Sequence, residues 1–177
     1  MKDKRTFINR IYRKKDIKKM EDKINLFGVS KKFTTEYFMN FRFFTSMVVF
    51  LISFIFSNFG ALFAPVITVL WYYLTSYIMI DKPLKKRGKK LENEAYYYFE
   101  VLTLALESGR NLENAIKMAC KYIDSEISDE FKETIKQVNF GKSLTEALAL
   151  MSKRIPSLTI NNIILNMEQS NLFGNNV

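Results

Sequence analysis

The chain has 177 residues, no histidine, a single cysteine and a formal charge of +9. That length holds one domain of ordinary size together with additional segments. The missing histidines and the lone Cys120 exclude Cys/His zinc sites, Ser-His and Cys-His dyads and internal disulfides, so no enzyme, metal or cofactor is expected.

The positive charge is unevenly spread. Residues 1 to 42 hold 13 Lys/Arg against 5 Asp/Glu, residues 81 to 90 hold 6 against 1, and residues 91 to 177 hold 8 against 12. Within the first block, residues 1–36, Ile8, Ile11, Ile17, Met20, Ile24 and Phe27 recur at mostly helical spacing among lysines. This predicts a basic amphipathic helix. Such a helix either lies on an anionic membrane surface or stays solvated and only fixes topology; the pattern leaves both open. Nucleic acid is not expected as a partner, because the neighbouring lipid is already an anionic one.

The next 38 residues, 43 to 80, contain no charged side chain. About 20 helical residues cross a hydrocarbon core roughly 30 Å thick, so this run predicts two crossings. The polar, flexible Ser57 to Gly60 divides it into spans at about 37–57 and 61–80, with Pro65 in the first turns of the second. Arg42 is expected to snorkel from the first span to the head groups. Trp71, Tyr72, Tyr73 and Tyr77 suit an interfacial belt, although the mid-span Trp71 also suits packing on another helix. A buried soluble hairpin is disfavoured because soluble cores rarely go so long without charge. A cleaved signal peptide does not match a 42-residue basic leader followed by two spans.

Residues 81–90, DKPLKKRGKK, read as a basic juxtamembrane linker. Lys/Arg-rich flanks on both sides of the hairpin place both termini in the cytoplasm under the positive-inside rule.

From residue 91 onward the periodicity is helical throughout. Leu91, Ala95, Tyr98, Phe99, Leu102, Ala105 and Leu106 share one face. Further faces follow in Leu112, Ala115, Ile116, Ala119, Cys120 and Ile123, and in Ile127, Phe131, Ile135 and Val138. Leu144, Ala147, Leu148, Met151 and Ile155 form a fourth, ended by Pro156, and Ile160, Ile163, Ile164 and Met167 a fifth. No stretch alternates at period two. The expected fold is all-α: a two-span transmembrane hairpin, then an antiparallel bundle over 91–177 built from repeated αα-hairpins.

One phrase is written twice. Gly109, Arg110, Asn111, Leu112 and Ala115 return as Gly141, Lys142, Ser143, Leu144 and Ala147, 32 residues on. In each copy the glycine closes one helix at positive φ, the Asn or Ser caps the next, the leucine enters the core and the alanine allows close helix approach. Gly174 falls 33 residues after Gly141, near the same period.

LALESGRNLENAIKMA followed by NFGKSLTEALALMSKRIPS resembles the type II secretion system F domain, which uses this helix-junction pattern twice. A two-span hairpin ahead of one such domain is most similar to the Tad-type (tight adherence) pilus assembly proteins. The resemblance covers about residues 40 to 177. It implies a platform protein of the inner membrane that contacts a cytoplasmic hexameric ATPase, a companion F-domain membrane protein and pilin subunits, in a homo- or hetero-oligomer. Relatives of this kind continue into further membrane spans, so the ending FGNNV carries the expectation of a C-terminally truncated domain. A membrane-tethered helical adaptor, or a transporter fragment unrelated to pili, is the alternative.

The remaining candidates for chemistry are weak. Glu94, Glu100, Glu107 and Glu113 lie near the first junction, with Glu107 expected to form a surface ion pair with Arg110. No Walker-type phosphate loop occurs. Cys120, on an apolar face, is expected to be a buried, inert thiol.

Overall fold

The computed structural model describes residues 12–30, 34–56 and 60–174. All regular structure among the described residues is helical, in agreement with the all-α expectation. In chain order these are α1 (Lys14–Asn25), a 3-10 turn (Gly28–Ser30), α2 (Thr35–Phe56), α3 (Gly60–Ser76) and a π-helical turn (Tyr77–Asp81). They are followed by α4 (Lys82–Glu107), α5 (Leu112–Tyr122), α6 (Glu126–Asn139), α7 (Leu144–Ser152) and α8 (Leu158–Gly174). The chain divides into two units, residues 1–24 with 31–83 and residues 25–30 with 84–177. Positions Ile8, Ile11 and Ser57 to Phe59, and the last three residues of FGNNV, lie outside the described residues.

In the first unit α2 and α3 pack on each other as a hairpin. Thr35–Ile55 and Phe63–Glu107 are both long and apolar enough to cross a membrane, and most side chains in their apolar windows are exposed. Val48, Ile55, Val66 and Leu70 all point outward, an arrangement suited to lipid and costly in water. Three hydroxyls inside these helices are satisfied by the backbone one turn earlier. Ser46 Oγ donates to the Arg42 carbonyl at 2.7 Å, Thr68 Oγ1 to Ala64 and Thr75 Oγ1 to Trp71, both at 2.8 Å, so these three need no solvent.

Arg42 does not snorkel. It is only 5% exposed and donates from Nη1 to Ser76 Oγ of α3 at 2.7 Å. Its guanidinium lies 4.0 Å from the centre of the Tyr72 ring and 5.4 Å from that of Phe38. The sequence reading allowed Arg42 an interfacial role only. A weakly hydrated, planar cation is instead held inside by aromatic faces and one hydrogen bond across the hairpin.

In the second unit the periodic residues of α4 to α8 meet in one core. Leu91, Tyr98, Ile116, Phe131, Leu148, Ile155 and Ile164 are buried there. Tyr98 and Phe131 stack with ring centres 4.6 Å apart and planes 8° from parallel, and Phe99 meets Phe131 edge-on at 6.1 Å. Each helix from α5 onward packs on its successor. The central one, α6, is buried on more than its apolar face: Ser128, Glu130 and Thr134 are as enclosed as Ile127 and Phe131.

Of residues 81–90, read above as a linker, Asp81 closes the π-helical turn and 82–90 are the first turns of α4. Arg87 and Gly88 are buried in them. The lysine run is well suited to helix, and only one of its cations turns inward.

Candidate functional site

The two copies of the repeated phrase are the junctions α4–α5 and α6–α7. Gly109 has φ +84° and Gly141 φ +95°, with open space where a β-carbon would sit, so backbone conformation alone favours glycine at both. At Gly141 the helix closes with two bonds, from the Gly141 amide to the Val138 carbonyl at 2.9 Å and from Lys142 to Gln137 at 3.2 Å. At Gly109 the first of these recurs, to Leu106 at 2.9 Å. There the Ala105 carbonyl accepts the Ser108 hydroxyl at 2.7 Å.

The caps differ in a similar way. Asn111 Oδ1 accepts the Asn114 amide at 2.9 Å. Ser143 Oγ accepts the Glu146 amide while Glu146 returns a carboxylate oxygen to the Ser143 amide, both at 3.2 Å, completing a reciprocal capping box. Leu144 is buried and Leu112 half-buried; Ala115 and Ala147 are fully enclosed between helices.

The four glutamates near the first junction do not converge. Glu94 accepts the Ile127 amide at the start of α6 at 3.2 Å and pairs with Lys90. Glu113 pairs with Lys117 on its own helix. Among the described residues no ion pair joins Glu107 to Arg110. Cys120 is half-buried and not enclosed as expected. Its thiol lies 3.3 Å from the Tyr98 hydroxyl and donates to the Ser128 carbonyl at 3.7 Å, and burial pushes its pKa up, which keeps it protonated.

Sequence reasoning missed the most polar feature of the second unit, a buried ionic cluster at one end of the bundle. Glu130 of α6 is fully enclosed, and its Oε1 accepts Arg87 Nη2 and the Val29 amide, each at 2.8 Å. Its Oε2 accepts Arg154 Nε at 2.9 Å. Arg87 also donates from Nε to Glu126 at 2.6 Å and from Nη1 to the Leu26 and Arg154 carbonyls. Burial alone would raise the Glu126 pKa, but hydrogen bonds and charge from Arg87 and Lys90 prevail and hold it below the ordinary carboxylate value.

This cluster fastens the segment Asn25–Ser30 to the bundle. Gly28 has φ +59°, and a β-carbon there would collide with the Glu130 carboxylate and the Arg87 guanidinium, so only glycine fits. On the other side Gly88 brings α4 against the backbone of Pro156, whose carbonyl would lie 2.6 Å from an added β-carbon. Two stretches distant in sequence, 25–30 before the apolar hairpin and 84–90 after it, therefore meet at the same carboxylate. The arrangement contains a cation for every anion and no reacting group. Its chemistry is attachment.

Residues 98–176, which form most of this bundle, match the family model described as type II secretion system (T2SS), protein F. This part of the chain is similar to that family. The family comprises inner-membrane platform proteins of secretion and pilus machines, and the two apolar helices preceding the F domain are in keeping with an inner-membrane protein. No curated protein and no solved structure matches the chain. The match begins at Tyr98, after Arg87 and Gly88, so the attachment cluster joins the F domain to residues outside the matched region.

Proposed function

We propose that this chain is a non-catalytic, multi-pass platform subunit of a Tad-type pilus assembly machine, with both termini in the cytoplasm. In this role the F domain receives motion from a secretion-type hexameric ATPase. It passes that motion to the membrane hairpin, where a companion F-domain protein and pilin subunits engage. The family match directly after two apolar helices with basic flanks carries this reading. The cluster at Glu130 adds a physical reason, because both chain passages leading to the hairpin are anchored in one buried place.

The test is affinity purification of the tagged full-length chain from cells that make it, under mild detergent. Recovery of a secretion-type ATPase is expected, as is protection of the F domain from protease added outside intact cells. Absence of any such ATPase, or digestion of the F domain from outside, would overturn the proposal.

A further inference from the structure

The second unit carries a furrow of about 520 Å³ between α4 and α8 that none of the roles above uses. Tyr96, Phe99 and Leu104 of α4 and Ile163 of α8 line it, with Tyr96 81% and Leu104 61% exposed. Along the α4 side stand Glu92, Glu100 and Glu107. Their spacing of eight and seven residues repeats every two helical turns, which sets the carboxylates in one row beside the apolar strip. No lysine or arginine lines the furrow. Glu92 accepts the Ser157 hydroxyl at 2.7 Å, while Glu100 and Glu107 stand exposed on the rim.

We infer that this furrow is a docking site for one amphipathic helix of a partner protein, with an apolar stripe flanked by lysine or arginine. From Glu92 to Glu107 α4 rises roughly 22 Å, the length of about 15 helical residues. A partner of that length, with apolar residues at helical spacing and cations every seven or eight positions, matches both the strip and the row. Charge argues against the other occupants. An anionic bilayer surface is repelled by three carboxylates, and a second copy placed furrow to furrow brings two such rows together. The inference is independent of the pilus reading, since it rests on the surface alone.

The experiment uses the full chain in nanodiscs of uncharged phosphatidylcholine and two labelled helical peptides of about 15 residues. Both carry the same leucine stripe, flanked by lysines in one and by glutamates in the other. Anisotropy is expected to show the lysine peptide binding at least about tenfold more tightly, with the preference weakening at high salt. The double variant Glu100→Lys, Glu107→Lys changes only exposed side chains and is expected to abolish or invert that preference while melting like the parent. Equal binding of the two peptides, no binding to the parent chain, or a preference unchanged by charge reversal overturns the inference. So does disulfide-linked dimer formation by Thr103→Cys in a Cys120→Ser background, which would show a second copy in the furrow.

Discussion

The backbone amide of Val29 donates to the buried carboxylate of Glu130 at 2.8 Å, across 101 positions of sequence. The bond closes a cluster in which Glu130 is the common acceptor for Arg87, Arg154 and a turn from the opposite end of the chain. Removing that acceptor strips Arg154 of its carboxylate and leaves Arg87 with Glu126 alone. Glu130→Ala is therefore expected to cost about 3–5 kcal/mol, read as a lowered melting temperature of the detergent-solubilised chain. Arg87→Lys should also destabilise clearly, because an ammonium cannot reproduce the fork that reaches Glu126, Glu130 and two carbonyls at once.

The glycines divide into two kinds. Gly28→Ala forces a methyl into the Glu130–Arg87 pair, whereas Gly109→Ala meets open space and strains only φ. The expected cost at Gly109 is about 1 kcal/mol, and that at Gly28 is larger. Hydrogen exchange supplies the specific readout: Gly28→Ala should release the protection of the Val29 amide, and Gly109→Ala should leave it intact. Gly141→Val should exceed an alanine at the same site, since a β-branched residue resists positive φ further.

At the start of α7 the capping box predicts a second graded effect. Ser143→Ala should lower stability by about 1 kcal/mol. Glu146→Gln should cost less, because its amide can still accept from the Ser143 backbone. Chemical denaturation of the full chain in detergent, monitored by helical circular dichroism, would distinguish them.

Acid provides a test of the cluster as a charged object. Glu126 sits below its ordinary carboxylate pKa because Arg87 and Lys90 favour its ionised form over the opposing effect of burial. A carboxyl whose pKa is depressed on folding contributes stability that is complete above its unfolded value, here 4.5, and lost as pH falls through the folded one. The native chain should therefore lose stability progressively below about pH 4.5, and Glu126→Gln should flatten that part of the profile. An identical slope in the variant would remove Glu126 from the account.

The five apolar faces of the bundle were legible because helical periodicity is a local signal: Leu91, Ile116, Phe131, Leu148 and Ile164 each lie on the face their spacing assigns. The junctions were legible for the same reason, since Gly109, Asn111, Gly141 and Ser143 act within four residues of themselves. The ionic cluster was not, because its pairings join residues dozens of positions apart. Arg87 reads as one more cation in KPLKKRGKK, and Glu130 has no place on the Ile127, Phe131, Ile135 and Val138 face that periodicity picks out in α6. A signal was present: Arg87 is the only arginine in that lysine run and precedes a glycine inside a helical stretch, where a close approach is the usual reason. Arg42 was misread similarly, as a spacing argument cannot see the ring of Tyr72 on the neighbouring helix.

The meeting of two chain passages at one anion bears on how the bundle would bear load. Because the Asn25–Ser30 turn and the first turns of α4 share Glu130, tension arriving along either is divided among several charge-assisted bonds that must rupture together. Bonds loaded in parallel fail far less readily than bonds peeled in series, so the cluster behaves as a rivet.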